Sequence, residues 1–320
     1  MTALETLPVV PAAELEEPQP ERRWLVESLW ARAGVGIVGG APKCCKSWLA
    51  LDLVLSVASN TPVLGRFAVH DPGRALIYMA EDAPADIKQR LLGLCRRRQL
   101  DLAALPLGVV TAPTLRLDLD RDKGRIDKTL REHRPRVLLL DPFVRLHRID
   151  ENSAAEVSLV LAFLRQMQRE HDTAIVVVHH ARKDGGGGAG QALRGSGDFH
   201  AWVDSALYVR RKAQHLTVTV EHRSAPAPDP FHLVLDGTDG AEPALVLVDG
   251  ESGAPCAARD LRTSLLAHIE ATAAGASRDQ IRAALRVRND RVGPELAELA
   301  REGLIRRDGA LWKRVPVPAP

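Results

Sequence analysis

The sequence predicts an α/β fold in which helices cover a mainly parallel β-sheet, with antiparallel strands at one edge and a small separate unit at the C-terminal end. Three observations support this prediction. Apolar runs alternate with helical patterns between residues 34 and 178, a phosphate-loop motif joins the first of these strands to its helix, and turn-rich apolar segments follow residue 206. Uninterrupted apolar runs between helices are typical of strands buried on both faces, as in parallel sheets.

The phosphate-loop motif lies between the apolar segment 34–39 and the helical pattern 47–58. It reads Gly-Ala-Pro-Lys-Cys-Cys-Lys-Ser and matches G-x-x-x-x-G-K-[ST] except at Cys45. In such loops backbone N–H groups and the helix N-terminus bind phosphate, the lysine reaches the β/γ oxygens and the hydroxyl holds Mg²⁺. The motif therefore predicts a site for ATP and Mg²⁺. Its candidate nucleotide-binding residues are Gly40, Ala41, Pro42, Lys43, Cys44, Cys45, Lys46, Ser47 and Trp48.

Cys45 leaves other interpretations open. The octet could be an ordinary strand-to-helix connection, and a side chain at a position with positive φ would cost about 1 kcal/mol and weaken nucleotide binding. The four cysteines show neither a disulfide framework nor zinc-site spacing. An adjacent pair of thiols at a helix N-terminus can be acidified, so a redox switch is a further alternative.

Polar residues follow three of the predicted strands. In doubly wound sheets, ligands bind at the carboxyl ends of the strands, so these residues are candidates for the same site. Any one of them could be a solvated strand end, but three beside a phosphate loop indicate catalysis. They are Glu81 and Asp82 after strand 75–80, which offer a carboxylate to the attacking water; Asp141 after 137–140, a Mg²⁺ carboxylate; and His179 and His180 after 174–178, which would sense the γ-phosphate.

The remaining segments divide the chain. Segments 206–210, 216–220 and 231–235 predict antiparallel strands because short turn-rich links separate them. The sequence predicts a flexible arm at 1–20, an ATPase domain at 21–240, a linker at 241–256 and a C-terminal domain at 257–315.

The C-terminal domain has the pattern of a winged helix. Helices are predicted at 261–272, from a capping box at Ser277 to residue 285, and from 290 to 302, followed by a hairpin around Asp308-Gly309. Pro294 is expected near the first turn of the third helix. Four polar residues at the entry to that helix are candidate DNA contacts, although winged helices also serve protein contacts: Arg286, Arg288, Asn289 and Arg291.

Composition and charge describe an ordinary globular protein. The chain has 320 residues, is 45% hydrophobic and carries a formal net charge of +2. The basic excess lies at the C-terminal end, where residues 257–315 hold 12 Lys or Arg and 8 Asp or Glu. No apolar run suits a membrane span and the N-terminus is acidic, so a cytoplasmic protein with no membrane partner is expected.

The ordered motifs resemble the RecA-fold ATPases of the plasmid RepA hexameric helicase type, which are related to the DnaB replicative helicases. The resemblance rests on the phosphate loop, Tyr-Met-Ala-Glu-Asp, Leu-Leu-Leu-Asp-Pro, Val-Val-Val-His-His, Leu-Arg-Gly-Ser-Gly and Val-Glu-His-Arg-Ser, and covers residues 22–240. It implies that Glu81 is the catalytic glutamate, Asp141 the Walker B aspartate and His180 the γ-phosphate sensor. It also implies that Arg223 acts as an arginine finger on a neighbouring subunit, although Arg223 could instead be a solvated strand end.

The same resemblance implies DNA contacts in two loops and a head-to-tail assembly, most simply a hexamer. The loop residues are Arg145 and Arg148 after the Walker B strand, and Arg182 and Lys183 before a run of glycines. The sequence thus predicts an ATP- and Mg²⁺-dependent DNA helicase or translocase. The alternative is an ATP-gated DNA-binding regulator with slow hydrolysis and no unwinding.

Overall fold

The computed structural model describes residues 7, 9–15, 23–180, 197–237, 243–249, 254–255, 261–272, 275–285, 289–309 and 311–315. The chain divides into two compact units, Met1–Pro255 and Cys256–Pro320. Each unit has its own hydrophobic core. In the predicted arm, the described residues are exposed, with a 3-10 turn at Ala12–Glu14.

The larger unit is built on a ten-stranded sheet of described residues. The strands of the unit, of which β1 and β2 lie outside that sheet, are in chain order β1 (Trp24–Val26), β2 (Trp30–Ala31), β3 (Val35–Gly40), β4 (Ala75–Met79), β5 (Leu107–Val109), β6 (Val137–Asp141), β7 (Ala174–His180), β8 (Ser205–Lys212), β9 (His215–His222), β10 (Phe231–Asp236), β11 (Ala244–Asp249) and β12 (Ala254–Pro255). Its helices are α1 (Lys46–Ser59), α2 (Pro84–Arg97), α3 (Asp120–His133), α4 (Ala154–His171) and α5 (Gly197–Trp202).

The strand pairing confirms the predicted fold class. The order along the sheet is β12-β11-β10-β9-β8-β3-β7-β6-β4-β5, and β1 pairs with β2 separately. From β8 to β5 all neighbours are parallel, whereas from β12 to β8 they are antiparallel. Parallel neighbours need crossover connections, which the helices supply. The sequence did not identify β5, a short half-buried strand at the sheet edge.

Helix α1 is anchored because it is apolar on nearly every side. Its leucines and valines are completely buried, and it packs against β4 and β6. A helix with no polar face is stable only inside a core. The N-terminus of α1 is therefore held at the carboxyl ends of the strands that it packs against.

The prediction of a linker at 241–256 is wrong for the residues that form β11 and β12. Strand β11 pairs with β10 over the register His232↔Val248 to Asp236↔Ala244, and Leu245, Leu247 and Val248 are buried. The glycines and prolines around this segment suggested a loop, but the apolar run Ala244–Asp249 buries its side chains by extending the antiparallel edge. The larger unit consequently ends at Pro255.

The smaller unit combines three helices with a three-stranded antiparallel sheet in its described residues. Its elements are α6 (Leu261–Ala271), β13 (Ala276–Ser277), α7 (Arg278–Leu285), α8 (Asn289–Arg301), β14 (Ile305–Asp308) and β15 (Leu311–Arg314), with sheet order β13-β15-β14. The capping box is present, since Ser277 N donates to Gln280 Oε1 at 2.8 Å and Gln280 N donates to Ser277 Oγ at 3.2 Å. Pro294 lies in the second turn of α8, close to the first turn as expected, and the helix continues through it.

No helix in the described part of the chain is long and apolar enough to cross a membrane.

Candidate nucleotide-binding site

The phosphate loop connects β3 to α1, as the sequence predicts. Gly40 ends β3 at φ +153°, and a Cβ there would lie 2.2 Å from the carbonyl oxygen of Val209 on β8. Only glycine fits this close approach. The residues that follow are exposed up to Lys43, whereas the Cys44 side chain is buried.

Lys46 turns into the loop. Its side chain is buried, with 4% relative exposure, and its Nζ donates to the carbonyl oxygen of Ala41 at 2.7 Å. Burial lowers the pKa of Lys46, and the neighbouring Cys44 and Asp141 oppose this shift. A buried ammonium held by a loop carbonyl is suited to bind phosphate oxygens that enter the loop.

Cys45 adopts a left-handed conformation, with φ +63° and ψ 26°, at the N-cap of α1. The motif's glycine position thus has the positive φ at which a side chain is costly. Lys43 also has a positive φ, +62°, and its carbonyl oxygen accepts a hydrogen bond from Arg211 Nη1 at 2.9 Å. The sequence did not point to Arg211, because only the β3–β8 pairing brings it beside the loop. Burial raises the pKa of both the Cys44 and Cys45 thiols, which contradicts the acidified thiols of the redox-switch alternative.

Asp141 ends β6 and is buried, with 5% exposure. Burial raises its pKa to about 6; hydrogen bonding from the Ser47 hydroxyl lowers it, and the nearby Asp82 and Glu81 raise it further. Among the described residues, Asp141 Oδ2 has no hydrogen-bond partner. A buried carboxylate oxygen that lacks a donor, beside a hydroxyl, fits Mg²⁺ and its bound water.

The two carboxylates after β4 have different surroundings. Asp82 is paired with Arg90, whose Nη1 and Nη2 lie 3.0 and 2.6 Å from its oxygens. Glu81 is about half exposed and accepts a hydrogen bond from Arg145 Nε at 2.7 Å. The Arg90 guanidinium also lies 5.7 Å from the ring centroid of Trp48. Both predicted carboxylates are thus paired with an arginine, and Glu81, with 47% side-chain exposure against 22% for Asp82, is the more accessible to solvent.

His180 ends β7 directly beside the phosphate loop. The parallel register pairs it with Gly40, so its partly exposed ring lies at the same sheet edge as Lys46. Burial of part of the ring and the positive charge of Lys46 lower the pKa of His180. The lowered pKa favours the neutral imidazole, which can donate one hydrogen bond to a phosphate oxygen.

Comparison with known proteins identifies the family. The model of the AAA_25 family, described as an AAA domain, matches residues 2–186. The chain belongs to the AAA_25 family. No curated protein matches the sequence.

Solved structures similar to this chain include an ATPase domain, a replicative helicase and a recombinase. The ATPase domain of G40P is 14% identical, with a TM-score of 0.50 over 67% of this chain and 84% of that one. A DnaB-like replicative helicase, described together with its interactions with primase, is also 14% identical. Its TM-score is 0.50, over 67% of this chain and 57% of that one. The RadB recombinase is 17% identical, with a TM-score of 0.48 over 67% of this chain and 91% of that one. The two matches with a TM-score of 0.50 show that the AAA_25 chain has the RecA-like P-loop NTPase fold that the resemblance predicted.

In the AAA_25 chain, a cluster of two buried histidines and a partly exposed carboxylate joins the loop after β6 to β7. His147 Nε2 lies 3.4 Å from Glu151 Oε1, and His179 Nε2 lies 3.7 Å from Glu151 Oε2. Contacts with the two histidines lower the pKa of Glu151 to about 2. Phe143 packs against both imidazole rings. Nothing in the sequence singled out Glu151, because a carboxylate in a polar loop carries no pattern.

Arg223 does not join the phosphate loop of its own chain. Strand β9 runs antiparallel to β8, so the residue after β9 lies where β8 begins. Arg223 N donates to the carbonyl oxygen of Asp204 at 3.0 Å, and its guanidinium contacts Asp204 and the carbonyl oxygen of Ala201. The phosphate loop follows the carboxyl end of β3, which is parallel to β8, so the loop lies at the opposite end of the strands from Arg223.

The predicted DNA contacts are only partly described. Arg145 and Arg148 are exposed, and Arg148 Nε lies 3.1 Å from Asp118 Oδ2. Asn289 and Arg291 lie in the first turn of α8, and their side chains are outside the described part. Also outside the described residues are Arg182, Lys183, the glycine run, Arg286 and Arg288.

Proposed function

We propose that this RecA-fold NTPase is an ATP-hydrolysing DNA helicase or translocase of the RepA-like type. The proposal rests on one observation. Four side chains come together at the carboxyl ends of the parallel strands: Lys46, Asp141, Glu81 and His180. These residues come from four separate strand ends, and a structural role alone would not require them to surround one loop.

The residues divide the chemistry of hydrolysis among themselves. The N–H groups of the loop and of the α1 N-terminus bind the β-phosphate, and Lys46 binds the β/γ oxygens. Ser47 and Asp141 would hold Mg²⁺, which would supply positive charge to the phosphate oxygens. Glu81 orients the attacking water and accepts its proton, while His180 donates a hydrogen bond to the γ-phosphate.

Assembly completes the site in this proposal. Arg223 lies at the opposite end of the strands from the phosphate loop of its own chain, so the nucleotide that it contacts must be bound to another subunit. A head-to-tail ring, most simply a hexamer, would bring Arg223 of one subunit to the loop of the next. The guanidinium would then stabilise negative charge on the transferring phosphoryl group.

DNA is the proposed substrate along which the assembly acts. The smaller unit has the element order of a winged helix, in which α8 would enter the major groove. We assign DNA contacts there to Arg286, Arg288, Asn289 and Arg291. In the larger unit we assign them to Arg145, Arg148, Arg182 and Lys183.

The second candidate is an ATP-gated DNA-binding regulator with slow hydrolysis. The positive φ of Cys45 favours it, because strain in the phosphate loop would weaken nucleotide binding. The two candidates differ in turnover. Opening duplex DNA costs roughly 1.4 kcal/mol per base-pair step, so a helicase needs brisk hydrolysis that DNA stimulates, whereas a regulator does not.

Two substitutions test the site. Lys46→Ala should abolish ATP turnover, and Glu81→Gln should retain ATP binding while turnover falls by roughly 10² to 10⁴. Lys128→Ala and Glu132→Gln change exposed residues of α3 and serve as matched controls. Wild-type hydrolysis by Lys46→Ala would refute the phosphate loop, and an equal loss of binding and turnover in Glu81→Gln would make Glu81 structural. Strand-displacement assays with the wild-type protein distinguish the helicase from the regulator.

A further inference from the structure

An ion pair connects the proposed catalytic carboxylate to a proposed DNA contact. Arg145 Nε lies 2.7 Å from Glu81 Oε1, although the two residues are 64 positions apart in the chain. The side chains are 57% and 47% exposed, respectively. The pair therefore lies at the surface, where a nucleic acid could reach the guanidinium.

The backbone brings these two side chains together. Strands β4 and β6 are parallel neighbours with Met79 opposite Asp141, and Ala80 N donates to the carbonyl oxygen of Asp141 at 2.8 Å. Arg145 ends a 3-10 turn that begins at the completely buried Phe143. The positions of Glu81 and Arg145 are thus set by the ends of adjacent strands.

The pairing restricts both residues. Glu81 uses one carboxylate oxygen for Arg145, so the carboxylate is oriented toward the guanidinium rather than free to turn toward a water molecule. Arg145 has one positive charge, and a DNA phosphate would compete with Glu81 for it. Exposed ion pairs contribute little stability, so a phosphate can displace the carboxylate.

We propose that Arg145 is a positioning residue that restrains Glu81 until a DNA phosphate binds the Arg145 guanidinium. The released carboxylate then turns to the attacking water, and hydrolysis accelerates. This inference rests on the proposed function, because it takes Glu81 as the general base and DNA as the ligand. It adds a route by which DNA binding reaches the nucleotide site through one ion pair.

The neighbouring arginine of the same loop shows a similar arrangement. Arg148 Nε lies 3.1 Å from Asp118 Oδ2, so both arginines are held by carboxylates of the chain itself. Asp118 precedes α3 and is not part of the nucleotide site. Of these two ion pairs, therefore, only Arg145–Glu81 connects a proposed DNA contact to the nucleotide site.

The first test measures ATP turnover without DNA. In Arg145→Ala and Arg145→Gln, Glu81 is no longer held, so the DNA-free rate should rise about two- to fivefold, the factor expected from an exposed ion pair. Stimulation by a mixed-sequence oligonucleotide should fall by the same factor. Arg131→Ala, which removes another exposed arginine–carboxylate pair from α3, is the matched control and should leave both rates unchanged.

The second test needs no hydrolysis. If Glu81 and DNA compete for Arg145, then Glu81→Gln should bind the oligonucleotide about two- to fivefold more tightly than wild type at fixed salt, without nucleotide. If Glu81 had a purely catalytic role, Glu81→Gln would change DNA affinity only by removing the repulsion between the carboxylate and the DNA phosphates. To separate this effect from competition for Arg145, the comparison is repeated in the Arg145→Ala background. The gain should disappear there, because the competition has been removed.

The outcomes separate this inference from the proposed function. If the wild-type protein hydrolyses ATP and DNA stimulates it, but both Arg145 variants keep the wild-type DNA-free rate and melting temperature, the inference is wrong and the proposed function stands. If the wild-type protein does not hydrolyse ATP with or without DNA, both are wrong.

Discussion

At the scale of single residues, Cys45 is the main departure from the phosphate-loop motif. Its positive φ gives a direct reason to expect a gain from glycine, which adopts this conformation without a steric cost. Cys45→Gly should leave nucleotide affinity unchanged or tighter and raise the free energy of unfolding by up to about 1 kcal/mol. Calorimetric titration and chemical denaturation measure the two effects.

Cys44→Gly is the control for this substitution. Cys44 is buried and its φ is not positive, so glycine there removes packing and adds unfolded-state entropy. The control should lose stability while Cys45→Gly gains it. A clear loss of nucleotide affinity in Cys45→Gly would show instead that the thiol itself takes part in binding.

Asp141 links stability to pH, because its pKa is about 6 in the folded protein and 3.8 ordinarily. Between these values the folded state keeps a proton that the unfolded state loses, so stability falls as pH rises from about 4 to 6. Asp141→Asn has no such titration. At pH 7 and without nucleotide, the variant should therefore be more stable than wild type by about 1 to 3 kcal/mol, although it should not hydrolyse ATP.

Chemical denaturation of wild type and Asp141→Asn at pH 4, 5, 6 and 7 tests this prediction. The difference in unfolding free energy should grow up to pH 6 and then level off. A difference that does not vary with pH would show that Asp141 ionises normally.

At the scale of secondary-structure elements, strand direction decides which residues can share a site. The parallel strands β4, β6 and β7 all have their carboxyl ends on the side of the sheet where the phosphate loop lies. Strand β9 runs in the opposite direction, so Arg223, which follows it, lies at the other end of the strands. Arg223→Ala should therefore lower turnover by roughly 10³ to 10⁵ and should be rescued in part by mixing with Lys46→Ala subunits. In mixed assemblies, some interfaces pair an intact Arg223 from one subunit with an intact phosphate loop from the next.

The control mixture combines Lys46→Ala with Glu81→Gln. Both defects lie at the nucleotide site of a single chain, so no interface regains an intact site and activity should stay low. With mixed assembly shown by native mass, the absence of rescue for Arg223→Ala would exclude a site shared between subunits.

At the scale of the whole molecule, the two units have separate cores, and the division falls between Pro255 and Cys256. Deleting residues 257–320 should leave the ATPase unit folded and able to hydrolyse ATP. It should remove most of the ATP-independent binding to duplex DNA, together with a salt slope of about one unit per phosphate neutralised. Circular dichroism, turnover and salt-dependent binding measure these effects.

Unchanged duplex affinity and salt slope in the truncated protein would make the smaller unit a module for protein contacts. DNA binding would then depend on the loops of the larger unit.

The sequence by itself determined the central parallel strands, the helices between them and the nucleotide loop. Apolar runs and the Lys46–Ser47 pair are local signals, because periodicity and motif spacing are written in neighbouring residues. The tertiary structure decided which charges meet. The Arg145–Glu81 pair, the buried Asp141 and the pairing of β11 at the sheet edge depend on strand order and register, which bring distant segments together and which no local pattern encodes.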